Sequence, residues 1–382
     1  MNKLPWIDAL RGIAIFSVVF CHIGHRIKDA PAVLQFLTIE TQNGVQLFYL
    51  ISAFTLFLSM SNRKKTEKAS LKNFFIRRFF RIAPMFYCVC AYYLLKVGIG
   101  PNYWVEDGGS LTIPNLVAHL TFINGWHPYW INSFIPVGWS IAIEMQFYLV
   151  VPFLFKKIKS LPQAVSLTLI CFVLTKSIVF LLRQYSPIPD IALWKNFLFY
   201  WLPNQFPAFL MGIVLFFLIR NTTTTQDQPE VPSRTSQFYS SMKPLLLFCL
   251  FMLVCSWVTK ISFGVIELIY GIAFVGVALF LSQNSFFLLV NNFFCYLGQI
   301  SYSAYLIHFE IIRIVHKFVQ NALSAMQLDL SPTVDFILVF AGALAGTMAI
   351  SSLTFRFIEM PGIALGRGLI AKEEFKVTKT GI

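Results

Sequence analysis

Apolar runs of membrane-spanning length, separated by shorter polar stretches, recur along this chain. A span needs about 20 apolar residues to cross the hydrocarbon core. The pattern predicts about ten helices, over residues 7–27, 45–60, 82–97, 138–155, 164–182, 197–219, 244–258, 263–281, 294–318 and 334–358. Residues 111–124 are apolar but too short to span, and read as a re-entrant piece. They lie within a segment, 98–137, that is poor in Lys and Arg. Its Tyr103, Trp104, Trp126, Tyr129 and Trp130 suit the outer membrane–water interface. Pro361 and Gly362 are expected to stop the last helix.

Charge orients the bundle. Arg63, Lys64, Lys65, Lys68, Lys72, Arg77, Arg78 and Arg81 stand against a single Glu67 between the second and third runs. Short loops rich in Lys and Arg stay in the cytoplasm. The N-terminus is therefore cytoplasmic, and ten spans return the C-terminus to the same side. Residues 220–243, rich in Thr, Ser, Gln and Pro, read as a flexible cytoplasmic linker. The expectation is one membrane domain over residues 1–370 with a basic tail, 371–382. The first run carries Asp8 and Arg11 at its start and no small-residue cleavage site after it, so it reads as a retained span. No internal repeat is visible, which counts against a transporter built from inverted halves.

Composition agrees. The 382 residues are 57% hydrophobic and only 12% charged, against about 25% charged in soluble domains. The fold class is all-α, a polytopic transmembrane bundle in contact with lipid. The net charge of +13 sits mainly in short loops and is not a nucleic-acid footprint. The seven cysteines all lie in apolar runs with no C-x-x-C pair, and read as packing residues. No metal site is expected. No phosphate-binding G-x-x-x-x-G-K-[ST], zinc H-E-x-x-H or nucleophile G-x-S-x-G is present.

The polar residues inside the runs carry the candidate chemistry. Arg11 and His22, eleven residues apart, share one face of the first helix, about 16 Å apart along its axis. Two readings stand. Arg11 snorkels and His22 is a packed polar residue, or Arg11 holds an anion while His22 moves a proton deeper in. Arg78 and Arg81, spaced i, i+3, either set topology or make a fork for phosphate groups. With Arg11 they would form a three-arginine anion site of the kind a nucleotide-bearing donor such as coenzyme A needs.

Ser140, Glu144 and Tyr148 line one face of a span, and a carboxylate there is either functional or a structural hydrogen bond between helices. The depths of Glu144 and His22 match roughly, which would allow a His–Glu pair. Ser301, Tyr305 and His308 share a face of the ninth run, where His308, a second intramembrane histidine, is either a satisfied core residue or part of the site. Arg356 and Glu359, i, i+3 near the end of the last run, read first as an ion pair or helix-end device.

These motifs together resemble the acyltransferase 3 family of bacterial membrane acyltransferases. The resemblance rests on R-x10-H at Arg11–His22, R-x-x-R at Arg78–Arg81, W-S-x-x-x-E-x-x-F-Y at Trp139–Tyr148, S-Y-x-x-Y-L-x-H at Ser301–His308 and E-x-P-G at Glu359–Gly362. They occur in the family's order along nearly the whole chain. The resemblance implies transfer of an acyl group, usually acetyl from acetyl-CoA, to a carbohydrate hydroxyl. The acceptor would be a surface polysaccharide such as O-antigen, or its lipid-linked precursor. It implies His22 as the catalytic residue and Arg11, Arg78 and Arg81 at the donor. Glu144 would matter for activity, and we expect it to orient His22. Asp8, Ser140, Tyr148, Ser301, Tyr305, His308 and Glu359 are secondary candidates. No permanently bound cofactor is expected, and both direct transfer and a transient acyl-His22 are open.

Two departures stand out. The family's usual D-G-L-R-G reads here Asp8-Ala9-Leu10-Arg11-Gly12, and its S-G-F reads Ser52-Ala53-Phe54. The added methyl groups are expected to narrow the donor channel. The periplasmic hydrolase-like domain of some members is not expected, so catalysis falls to the membrane part. The rival from another class is an exporter of a glycolipid or polysaccharide. Polar residues in a bundle also mark a substrate path, but an exporter has no need of a three-arginine phosphate site.

Overall fold

The computed structural model describes residues 4–27, 29–63, 67, 70–99, 111–224, 266–284 and 286–380. Among these, every regular element is a helix. α1 (Pro5–Gly24) has proline in its first turn, where the missing N–H costs nothing. A short helix that the pattern did not foretell, α2 (Ala32–Thr41), precedes α3 (Gly44–Arg63). α4 (Ser70–Val97) starts well before the apolar run expected there. Arg77, Arg78 and Arg81 therefore sit on a helix, where their spacing fixes their direction. Its first turns bury Asn73 and Phe74, and that packing carries the helix out through the basic stretch.

α5 (Ile113–Leu120) is capped by Thr112, whose hydroxyl accepts the Asn115 N–H, and a 3-10 turn at Asn124–Trp126 follows. α6 (Gly138–Lys157) and α7 (Leu161–Gln184) match the pattern closely. The expected helix 197–219 is two helices, α8 (Ile191–Tyr200) and α9 (Leu202–Thr224), broken at an extended Trp201. Pro203 suits the first turn of a new helix and not the interior of an old one. The first residues of the expected linker prolong α9, and the rest of it, with the expected helix 244–258, falls outside the described residues. α10 (Ile266–Gln283) is followed by α11 (Asn292–Gln299) and α12 (Ser301–Ala325), which divide the expected helix 294–318 at Ile300.

α13 (Pro332–Thr354) runs through a π-turn at Phe355–Glu359 into α14 (Met360–Thr380). Pro361 and Gly362 therefore do not stop the helix, which continues through the basic tail as far as Thr380. Proline clashes with the carbonyl four residues back, and a π-turn just before it widens the helix at that carbonyl. Gly362 serves contact instead: a Cβ there would meet the Pro84 ring and the Phe80 carbonyl of α4.

Seven described helical stretches are long and apolar enough to cross a membrane. α10 is shorter, and α12 is long but carries His308, Glu310, Arg313, His316 and Lys317. The bundle is organised around α1, which touches α2, α3, α11, α12 and α13. Its closest approach is reciprocal. A Cβ on Gly12 would strike the Phe294 backbone, and one on Gly298 would strike the Asp8 backbone. That seam ties the Asp8–Arg11 turn to the end of α11, and so delivers the start of α12 to the cavity that Arg11 lines.

Candidate active site

Five helices enclose one polar cavity. α1 gives Arg11; α3 gives Tyr49, Ser52 and Thr55; α4 gives Arg78 and Arg81. α6 adds Ser140, Glu144 and Tyr148, and α12 adds Ser301, Tyr302 and Tyr305. Residues from four of the five sequence motifs thus meet in one chamber.

Its charges do not balance. Glu144 is the single carboxylate on the wall, facing three guanidinium groups. The Ser52 hydroxyl and the Tyr148 hydroxyl both donate to its Oε1, each at 2.6 Å. Arg11 reaches Asp8 and the Thr55 hydroxyl only at 3.5 Å, long for hydrogen bonds. Arg78 lies over the rings of Phe74 and Tyr148, at 5.9 and 6.0 Å, and its Nε is buried without a partner. Among the described residues, neither Arg78 nor Arg81 makes an ion pair within 4.0 Å. Arg81 lies within electrostatic reach of both Arg11 and Arg78, and each of those two lies within reach of Glu144. Clustered like charges in a low-dielectric wall repel one another and attract an anion. Guanidinium forks match phosphate oxygens in particular.

Above this chamber the lining changes from charge to hydroxyl and imidazole. Ser140 donates to the Tyr305 hydroxyl at 2.7 Å, and the Tyr305 carbonyl accepts from His308 Nδ1 at 2.7 Å. The His308 ring stands 5.2 Å from that of His22, centroid to centroid, and Phe309 lies 4.2 Å from His22. Tyr305 therefore separates the arginine chamber from a pair of histidines.

The structure brings together Arg11, Arg78, Arg81, Asp8, Ser140, Glu144, Tyr148, Ser301 and Tyr305. It joins His22 to His308 and not to Glu144, whose oxygen is taken by Ser52 and Tyr148; no hydrogen bond links the two. Nor are Arg356 and Glu359 an ion pair. The π-turn between them rotates Glu359 off the face of Arg356. Glu359 is buried and accepts from the backbone N–H (3.0 Å) and the hydroxyl of Ser303, while Arg356 lies over Phe357. Thr55 is a site residue outside every motif, and Ser52 and Tyr302 lie within motifs without having been named as candidates. Their signal was present: Ser52 and Thr55 are polar and i, i+3 within an apolar run. Ala9 and Ala53 do not line the chamber. Ala53 faces Gly212 of α9, so its methyl group leaves the channel unchanged.

A second polar cavity lies on the opposite face of α3, between α7, α9 and α10. Here Lys176 pairs with Glu267 at 2.8 Å and with Asn204 at 3.3 Å, and Gln46 donates to Gln205 at 3.1 Å.

Comparison with known proteins gives the same reading of the chain. It is 24% identical over 94% of its length to "Putative O-acetyltransferase SACOL0978" of Staphylococcus aureus, of which it covers 57%. It is 24% identical over 94% of its length to "Peptidoglycan O-acetyltransferase OatA" of Listeria monocytogenes, covering 55% of that protein. Over 57% of its length it is 26% identical to "Acyltransferase MdmB" of Streptomyces mycarofaciens, covering 58% of that one. The chain thus spans a little over half the length of each of these relatives. No solved structure matches it significantly. The family model for the acyltransferase domain matches residues 4–356, a range that holds Arg11, His22, Arg78, Arg81, Glu144 and His308. The chain belongs to the acyltransferase 3 family.

Proposed function

We propose that this protein is a membrane O-acetyltransferase that moves acetyl from acetyl-CoA to a hydroxyl of a cell-surface glycan. The observation that carries the proposal is the arginine chamber. Three guanidinium groups face one carboxylate, and the chamber leads past Tyr305 to a histidine. Coenzyme A phosphates supply the missing negative charge, bound at Arg11, Arg78 and Arg81 on the cytoplasmic side. The flexible arm then follows α1 toward His22, about 16 Å beyond Arg11. Ten spans with both termini in the cytoplasm put the arginines and His22 at opposite depths, as that path requires. Names of relatives support O-acetylation, and one of them names peptidoglycan. The acceptor class we infer is a surface polysaccharide or its lipid-linked precursor, with peptidoglycan set beside O-antigen.

The reaction balances with one base. A ring nitrogen of His22 takes the proton of the acceptor hydroxyl as its oxygen attacks the thioester carbonyl. The carbon–sulfur bond breaks, and the leaving sulfur receives that proton from His22. Glu144 stays in the chamber as counter-ion to the arginines.

The test is transfer from radiolabelled acetyl-CoA to a glycan fraction of the source cells by purified protein in lipid, wild type against His22→Ala. Label reaching glycan only with wild type is the expected result. Transfer by the variant at the wild-type rate removes His22 from the mechanism. Absence of transfer, together with no binding of coenzyme A, overturns the enzyme reading.

A further inference from the structure

Among the buried titratable groups that the proposed reaction leaves without a task, His308 is the one whose ring stands against His22. His308 is fully buried, and its Nδ1 lies 2.7 Å from the Tyr305 carbonyl oxygen. A carbonyl oxygen only accepts, so Nδ1 carries the proton. A neutral imidazole then has its acceptor lone pair on Nε2. That nitrogen is buried and has no hydrogen-bond partner. A buried acceptor left without a donor is costly, and such an atom calls for an explanation.

The donors around it are few. The Tyr305 hydroxyl accepts from Ser140, and its own O–H makes no bond to Nε2. His25 is exposed and turned to the Cys21 sulfur at 3.5 Å. Phe309 covers both imidazoles, 4.2 Å from His22 and 4.8 Å from His308, and offers nothing polar. His22 itself remains, with its ring centroid 5.2 Å from that of His308. The rings touch without a direct bond, and hydrogen bonds of a catalytic site often tighten only once substrate is bound.

We infer that His308 is a positioning residue for His22: its Nε2 lone pair holds one N–H of His22 and leaves the other His22 nitrogen bare toward the acceptor hydroxyl. The inference rests on the acyl-transfer reading given above. A general base needs a fixed tautomer, and a second group bound to its other nitrogen fixes it. Elsewhere a carboxylate does this. Here a neutral imidazole does it, held by a backbone carbonyl, with no charge added to the apolar interior. During transfer, His22 gains the hydroxyl proton and becomes an imidazolium whose second N–H stays on His308. When the sulfur leaves, it takes the proton back from the substrate-facing nitrogen. His308 neither gains nor loses a proton.

The test compares His308→Phe with His308→Gln, whose amide oxygen can reach the place of Nε2. For the Phe variant, kcat falls by about 10²-fold while KM for acetyl-CoA and for acceptor stays within about 2-fold. The Gln variant regains about 10-fold of the loss. Wild-type kcat in the Phe variant overturns the inference. So does an equal loss in both variants, or a loss carried by KM.

A second readout needs no turnover. Nitrogen-15 NMR of histidine-labelled wild-type protein in detergent places the proton of His308 on Nδ1 and gives His22 a single tautomer. Replacing His308 by Gln or Phe turns His22 into a mixture. An unchanged His22 spectrum in a variant that inserts overturns the role. If wild type transfers no acetyl, the acyl-transfer reading fails, and the spectra still decide the pairing.

Discussion

The two faces of α3 carry two polar cavities with opposite accounts of their charge. Toward α7, α9 and α10, the ammonium of Lys176 is matched by the Glu267 carboxylate, so the charge cancels, while Asn43 Nδ2, Gln46 Oε1 and Glu267 Oε2 are left without partners among the described residues. Toward α1, α4, α6 and α12, three guanidinium groups face Glu144, already bound by two hydroxyls, and beyond it, among the described residues, only Asp8, 3.5 Å from Arg11, pairs with any of them. Polar groups inside a bundle whose charges cancel serve to hold helices in register. Polar groups that leave a net charge are built for something that brings the opposite one. The cavity that looks the less stable is therefore the one we propose as functional.

The sharpest way to break that comparison is to remove a guanidinium. In Arg78→Gln, kcat/KM for acetyl-CoA falls by about 10²-fold, about 2.7 kcal/mol, carried mainly by KM. The protein keeps its melting temperature to within about 2 °C, because the group removed has no ion-pair partner among the described residues. A melting temperature that drops by more than about 5 °C would make Arg78 a structural residue.

Lys176→Met makes the converse change on the other face. It leaves Glu267 unpaired and lowers stability by about 1 kcal/mol, both groups being partly exposed. Acetyl-transfer kinetics stay at wild-type values. Thermal unfolding in detergent and the transfer assay read the two halves separately. A loss of transfer without a loss of stability would make the second cavity part of the reaction path.

Sequence made the separate parts legible and the joints between them illegible. The apolar runs located most helices, because lipid allows little except helix, and the R-x10-H and R-x-x-R spacings named the chamber's arginines. What escaped was set by tertiary packing. Nothing in the run 294–318 says that the chain turns at Ile300, yet that break aims Tyr305 at Ser140 and His308 at His22. Pro361 and Gly362 read as a stop, because a π-turn has no sequence signature of its own. The pairing of His22 was read from depth along two helices, and depth is blind to rotation about each axis. Glu144 has a suitable depth and points elsewhere.

That rotation gives Glu144 a role with a small and distinctive signature. As counter-ion, it competes with the donor for the arginines. Glu144→Gln keeps an acceptor oxygen for the Ser52 and Tyr148 hydroxyls, so the chamber keeps its shape. The site becomes one unit more positive, and KM for acetyl-CoA falls by about 2- to 3-fold, with kcat changing by less than about 3-fold. The effect shrinks as salt is raised, because screening weakens the attraction that the substitution strengthened. A carboxylate that oriented His22 would behave otherwise. Its loss would lower kcat by about 10²-fold or more, independently of salt. The salt series on this one variant therefore separates a charge that balances the donor from a charge that acts on the base.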